Sequence, residues 1–171
     1  MEPKIISRSG SMVKIEFAVN FTDSMLESED IIQNALNKVG NLATAELLKQ
    51  FDTDGSDIIM GNLKLTSKGL SSQTYQTPYG ESLVERHVYQ SSKGGKTFCP
   101  LEQWARILLK ATPRYAQQIS HKAAEMASTQ VAKDLAINHN RNIPRSYIKN
   151  ISDAVGAIVQ TKVSVRRTTY R

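Results

Sequence analysis

Residues 12–19 alternate apolar and polar positions. Val13, Ile15, Phe17 and Val19 fall on one side, the period of a half-buried strand. The period then changes. Ser24 and Glu27 form a capping-box pattern, in which hydroxyl and carboxylate each satisfy a free backbone N–H. Behind it Ile32, Leu36, Val39, Ala43 and Leu47 recur every three or four residues, which lines one face of a helix ending near Phe51. Gly40 is where this helix is expected to bend or split. Residues 58–72 are punctuated by Ser, Gly and Lys and read as a short strand plus a loop. From Thr74 to Tyr89 the chain is rich in Thr, Tyr and Val around Pro78, Tyr79 and Gly80. That is a β-hairpin, with a further turn at residues 91–95 and a third short strand at residues 97–99.

Pro100 closes the β region, and about sixty helical residues follow. Trp104, Ile107, Leu108 and Ala111 mark a first helix. Thr112 and Pro113 stop it and open the next, with Thr as N-cap and Pro at the first helical position. Tyr115, Ile119, Ala123 and Met126 form the stripe of that second helix. Ser128 caps a third, in which Val131 and Leu135 face inward, with Ala132 beside them. After the polar break at residues 138–142, Pro144 opens a fourth helix striped by Ile148, Ile151, Val155 and Ile158. The fold class is α+β: an N-terminal strand and long helix, a central β-hairpin or short meander, and a C-terminal helical bundle with a helix-turn-helix. The expected divisions are 1–72, 73–100, 101–162 and a frayed basic tail at 163–171.

Charge sharpens this picture. Residues 1–85 hold seven Lys/Arg against twelve Asp/Glu, whereas residues 86–171 hold fifteen against four. A half-chain of net +11 attracts polyanions, nucleic acid above all; a merely solvated basic surface is the bland alternative. With 40% hydrophobic and 22% charged residues the chain can build a core. No apolar run suits a membrane span, and the start lacks the pattern of a secretory signal. A single cysteine, Cys99, makes no internal disulfide, so a reducing cytoplasm is the expected location.

The last two helices are the best candidate for chemistry. Ile143 is the apolar plug of the turn between them. If the Ile148 stripe packs inward, Arg145, Ser146, Lys149 and Asn150 point outward at the start of the last helix, with Asp153 beside them. In a helix-turn-helix that region meets base edges in the major groove, where Arg suits guanine and Asn suits adenine. Tyr147 either contacts phosphate or supports the core. Arg106, Lys110, Arg114, Lys122, Lys133 and Arg141 are candidates for phosphate contacts that position without reading sequence.

Other chemistries fit less well. The run from Asp52 to Asp57 lacks both the first and the twelfth ligand of a calcium loop, so it reads as a turn. His87, His121, His139 and Cys99 are spaced irregularly and do not make a zinc set. Four carboxylates in the basic half, Glu102, Glu125, Asp134 and Asp153, show no spacing that would gather three around a metal. Cys99, before Pro100, reads as core rather than nucleophile. No catalytic residue, metal or cofactor is expected.

A connected series of segments adds a resemblance. Tyr75-Gln-Thr-Pro-Tyr-Gly-Glu81, Val84-Glu-Arg-His-Val-Tyr-Gln-Ser-Ser92 and Gly94-Gly-Lys-Thr-Phe-Cys-Pro-Leu-Glu102 resemble the N-terminal region of ISKra-type insertion-sequence transposases. So do Thr112-Pro-Arg-Tyr-Ala116, Ile119-Ser-His-Lys122 and Ile143-Pro-Arg-Ser-Tyr-Ile148 with Ile151-Ser152. The likeness covers about half the chain densely. It implies a front end that recognises DNA ends and stands ahead of an RNase H-like catalytic domain. The chain stops at Arg171, so the resemblance implies a non-catalytic, truncated transposase product that binds double-stranded DNA. Related transposases often carry a zinc knuckle in the hairpin; here its cysteine positions correspond to Ser91 and Gly94. The aromatic side chains, Phe98 and Trp104 among them, would then supply the packing that zinc gave. The acidic N-terminal strand and helix are expected to serve assembly. The apolar helix face would pair with its copy, with a full-length transposase or with a host factor, unless the chain's own hairpin covers it. A protein-interaction module that regulates such a partner is the alternative function.

Overall fold

The alternation near the start builds a hairpin rather than a single strand. β1 (Lys4–Ser9) pairs antiparallel with β2 (Met12–Glu16), with Ile5 opposite Ile15. Gly10 takes the turn at a left-handed φ of +56°, a conformation that costs glycine little. The computed structural model describes residues 2–169, with side chains through 161. The expected strand stops early, at Glu16, and Phe17 lies exposed beyond it.

Helix α1 (Met25–Lys49) starts on Ser24, whose hydroxyl accepts from the Glu27 N–H at 3.3 Å. Only this half of the expected capping box forms. The Ser24 N–H donates to the Thr22 hydroxyl oxygen, and that hydroxyl donates to the Glu27 carboxylate at 3.1 Å. The helix runs unbroken through Gly40, which lies against the ring of Tyr79. Next to it Asn41 stitches the helix to the hairpin. Its side-chain amide donates to the Glu81 carbonyl and its side-chain oxygen accepts from the Thr77 hydroxyl, while its backbone carbonyl accepts from Ser82. Small and polar residues therefore make the close approach, with Ala45 and Leu48 adding apolar contact. The stripe anticipated from periodicity turns the other way: Ile32, Leu36 and Leu47 are between 36% and 53% exposed.

The second sheet is a meander, β3 (Ile58–Met60), β4 (Leu63–Thr77) and β5 (Gly80–Ser91). The loop expected within residues 58–72 is instead mostly strand. A register shift between Ser67 and Leu70, with Gly69 at φ +93°, absorbs the glycine without ending the pairing. The hairpin turn is as anticipated, with Thr77 paired to Gly80 around Pro78 and Tyr79. The third strand shrinks to one bridge, in which Phe98 and Tyr89 exchange two 2.8 Å backbone hydrogen bonds. The acidic turn after α1 seals the helix end to β5. The Asp52 carboxylate accepts from the His87 backbone N–H and sits 2.9 Å from its Nδ1, and Thr53 and Tyr89 share a hydroxyl hydrogen bond of 2.6 Å.

Four helices follow: α2 (Pro100–Trp104), α3 (Pro113–Glu125), α4 (Ser128–His139) and α5 (Arg145–Thr169). The first is much shorter than expected. Beyond Trp104 the chain turns through Arg106, Leu109 and Lys110, all at positive φ, and Leu108 and Ala111 bond to each other across a tight turn. Tertiary demand overrides helix propensity here: Ile107 packs on one core and Leu108 on the other. Trp104 is 53% exposed, so it is not the packing residue anticipated for the hairpin. The last helix is longer than expected. Its backbone runs through Arg166 and Arg167 of the expected frayed tail, whereas Arg171 lies outside the described residues.

Two apolar clusters result. Leu48, Tyr75, Val84, Leu101 and Ala105 join α1, the hairpin and α2. Ala111, Tyr115, Ile119, Val131, Leu135, Ile148 and Ile151 fill the space between α3, α4 and α5. The division anticipated at 72/73 cuts β4, and the one at 100/101 cuts α2; the segment 105–112 is the natural joint.

Two expectations follow. Gly40→Ala should destabilise the fold, because its methyl would lie 2.5 Å from the Tyr79 ring. In a Tyr79→Ala background the same change should stabilise by about 0.5–1 kcal/mol, the helix-propensity gap between the two residues. Urea unfolding of the four proteins measures this, and equal effects in both backgrounds would refute the contact. The second concerns acid. Hydrogen bonds from Arg8 at 2.7 Å and then Lys49 at 2.6 Å hold the Glu46 carboxyl down to about 2. A depressed carboxyl contributes stability that is present above the ordinary value of 4.5 and is lost as pH falls through 2. Acid unfolding in that window should be shallower for Glu46→Gln; identical curves would exclude the linkage.

Candidate nucleic-acid interface

The helical unit is built as its stripes dictate. Tyr115 and Ile119 of α3 are fully buried, and Ala123 and Met126 pack at the edge of the cluster. The break after α3 is real, since Met126 and Ala127 are both extended. Its cap differs from expectation: Ala127 is the N-cap residue, and the Gln130 side chain accepts from the Ala127 N–H at 3.2 Å. Likewise Thr112 precedes α3 but its hydroxyl makes no cap bond. After α4, Asn140 adopts φ +50°, and the Arg141 N–H closes back on the Leu135 carbonyl. Ile143 plugs the turn against the core, and Pro144 begins the path into α5. Short helix, left-handed residue, apolar plug and second helix are thus all in place.

The inward side of α5 is the expected one for its first three turns. Ile148 and Ile151 are fully buried and Val155 packs beside them, but Ile158 is 44% exposed, past the end of the core. Arg145, Ser146, Lys149 and Asn150 are all exposed, and helical spacing puts them on the side away from Ile148 and Ile151. Asp153 follows Lys149 by one turn on that side and is exposed too. Its charge disfavours phosphate, so the anion-compatible face is confined to the first two turns. Tyr147 is a structural residue. Its ring packs on the core and its hydroxyl donates to the Leu109 carbonyl at 3.0 Å, with burial pushing its pKa up to about 12. This bond brings exposed Lys110 beside the start of α5, a proximity that no sequence spacing reveals.

The remaining cations divide. Arg141 corrects its expectation: its side chain is buried, 5.2 Å over the Tyr115 ring, and donates to the Gln76 side chain. A phosphate cannot reach it without opening the core. Lys122 is half-buried and paired with Asp134 at 2.5 Å, so its charge is largely spent between α3 and α4. That pairing holds the Asp134 carboxyl below the usual range. Lys133 on α4 and Arg114 on α3 are exposed, the latter hydrogen-bonded to Gln117. Arg106 borders an apolar groove with His121, Val155 and Ile158, well down α5 from its first turn. The structure therefore presents Arg145, Ser146, Lys149 and Asn150 on the outer side of α5, sets Lys110 next to the Tyr147–Leu109 contact, and leaves Arg106 apart.

Neither a protein-family model nor a curated protein matches the chain. The geometry must therefore speak for the site. At the hairpin end, where the resemblance placed lost zinc ligands, hydrogen bonds close the turn. The Ser91 hydroxyl donates to the Gly94 carbonyl at 2.7 Å, and the Gly94 N–H donates to the Ser91 carbonyl at 3.0 Å. Among the described residues no group of three His, Cys, Asp or Glu is placed to hold a metal ion. Cys99 is half-buried beside the first core, and burial pushes its thiol up, which suits a packing role. Among those residues no helix is long and apolar enough to cross a membrane.

The two arginines flanking the turn make opposite predictions. Arg141→Ala should cost about 2 kcal/mol, through a lost ring contact and a buried hydrogen bond. Arg145→Ala should stay within about 0.5 kcal/mol, as exposed substitutions do. Chemical denaturation of both variants checks this, and comparable losses would contradict the assigned burial.

Proposed function

We propose that this protein binds double-stranded DNA through the α4–α5 helix-turn-helix, without catalysing a reaction on it. The first two turns of α5 enter the major groove. Arg145 and Asn150 hydrogen-bond to base edges, with Ser146 and Lys149 alongside. Lys110 and Lys133 hold phosphates, with Arg114 as a further contact. The observation that carries this reading is the exposed Arg145, Ser146, Lys149 and Asn150 face, backed by the fully buried Ile148 and Ile151. The net +11 of residues 86–171 supports it, because association with a polyanion needs such a field. We place the protein with transposase front ends on the segments quoted above, and the natural target is then a terminal repeat of the ISKra type.

The test is a salt titration of binding to terminal-repeat and random DNA. Each phosphate contact should contribute about 0.9 to the slope of log affinity against log salt. Arg145→Ala should relax sequence preference, whereas Lys133→Ala should weaken binding to all DNA alike. Lys110→Gly should separate binding from folding. Lys110 sits at φ +67°, so glycine relieves strain there and should stabilise by about 0.5–1 kcal/mol while lowering the salt slope by roughly one. Equal losses on specific and random DNA for Arg145→Ala and Lys133→Ala would remove the base-reading role. Cleavage of DNA by the purified protein with magnesium would overturn the non-catalytic assignment.

A further inference from the structure

A cleft runs between α3, α5 and the segment that joins the two cores. Its floor is apolar: Leu108, Pro113, Ala116, Val155 and Ile158 line a volume of about 450 Å³. A second hollow of about 440 Å³ shares Leu108 and Ile158 with it and continues to Ile107 and Glu102. Arg106 borders both. Clefts of this size and lining hold small molecules, with a few polar groups to fix orientation. The backbone of Arg106 is unusual. Helix α2 closes with two hydrogen bonds, from the Arg106 N–H to the Gln103 carbonyl at 3.2 Å and from the Ile107 N–H to the Glu102 carbonyl at 2.8 Å. In this helix-ending pattern the left-handed residue is usually glycine. Here it is Arg106, at φ +54°. A side chain at that position costs stability. Its guanidinium makes no contact that offsets the cost: among the described residues it has no hydrogen bond, ion pair or ring partner. A strained residue whose side chain the fold does not use points to a ligand.

We propose that the cleft binds a small monocarboxylate with an apolar body, whose carboxylate pairs with Arg106. The chemistry of the lining selects this class. A guanidinium presents a planar fork of N–H donors that matches a carboxylate. The apolar floor beside it takes a hydrocarbon or aromatic group, and it gives a strongly hydrated anion nothing to replace its water. That disfavours inorganic phosphate and a DNA backbone. Glu102 limits the charge to one. Its Oε1 accepts from the Tyr75 hydroxyl at 2.8 Å and from the Arg86 guanidinium at 3.4 Å. These contacts fix the carboxylate at the far end of the second hollow, where it repels a further negative group. The other titratable group on the rim, His121, lies 3.9 Å from Glu125, so Arg106 is the unpaired cation. Val155 and Ile158 belong to α5, and the ligand therefore touches the helix that carries the proposed base-reading face. The site itself does not rest on the DNA reading.

Calorimetric titration of the full chain with octanoate, without DNA and at fixed pH and ionic strength, tests the site. One octanoate should bind per chain with a dissociation constant of roughly 0.1–1 mM, the range open to a ligand of about ten heavy atoms. Octanamide keeps the body without the charge, and acetate keeps the charge without the body. Each should bind at least about tenfold more weakly. Arg106→Gly should lower octanoate affinity to that of octanamide. Urea unfolding of the same variant should show stability equal to or above that of the wild type, because glycine suits φ +54°. Lost binding is then not lost folding. Ile158→Glu, at a site 44% exposed, should weaken octanoate binding and leave the circular dichroism spectrum unchanged. Equal affinity for octanoate and octanamide would overturn the proposal, as would an Arg106→Gly chain that binds octanoate like the wild type. So would the lack of saturable octanoate binding up to roughly 10 mM, ten times the weakest expected constant. Inorganic phosphate that binds as tightly as octanoate would reassign Arg106 to a phosphate contact and remove the carboxylate site.

Discussion

Gln76 holds the two halves of this protein together. Its backbone N–H donates to the Lys110 carbonyl at 2.7 Å, and its carbonyl accepts from the Thr112 N–H at 2.9 Å. Its side chain receives the Arg141 guanidinium and donates to Glu81 at 2.9 Å. One residue of β4 thus fixes the start of α3 and the turn before α5. The chain accepts three non-glycine residues at positive φ to reach this arrangement, a cost on the order of 1–2 kcal/mol each. Backbone hydrogen bonds in a partly buried joint, with an apolar core on either side, offset it.

The same joint decides which cations are free. Arg141 and Arg145 are four residues apart and identical in type, yet one is buried over Tyr115 and the other is exposed. The Arg141 guanidinium sits over an aromatic ring, 5.2 Å from its centre, which a guanidinium tolerates because it is delocalised and weakly hydrated. Arg145 is beyond the plug of Ile143, on the helix side that Ile148 and Ile151 leave outside. Likewise Tyr147 reaches back to Leu109 and brings Lys110 to the helix start. The charge of the second half is thereby sorted into pinned residues and available ones.

Much of the architecture was legible in the chain. Ser24 begins α1, Pro78–Gly80 turns the hairpin, Pro113 opens α3, and Ile148 with Ile151 point inward from α5. These features depend on local chemistry, and local chemistry survives into the fold. The base-reading candidates were legible for the same reason, since exposure of Arg145 and Lys149 follows from burial of their neighbours on a helix. Three features were not legible. Residues 58–72 looked like a loop because a bulge at Gly69 imitates a break. Residues 105–112 looked helical because Ile107, Leu108 and Ala111 have helical spacing, although two different cores claim them. The α1 stripe looked like a core face because periodicity reports that a helix is amphipathic, not what lies on either side of it.

The sequence by itself determined the kinds of elements, the turns between most of them, and the charge that separates the two halves. Propensity, capping and period act within a few residues, so a linear reading captures them. Only the tertiary structure decided that Gly40 and Asn41, not Ile32 and Leu36, would meet the hairpin, because close approach of helix and turn needs small side chains and exact hydrogen-bond partners. It likewise decided that Arg141 would be buried while Lys110 came to rest beside α5. Both outcomes depend on Gln76, which is 34 and 65 residues away from them. No local pattern carries contacts of that range.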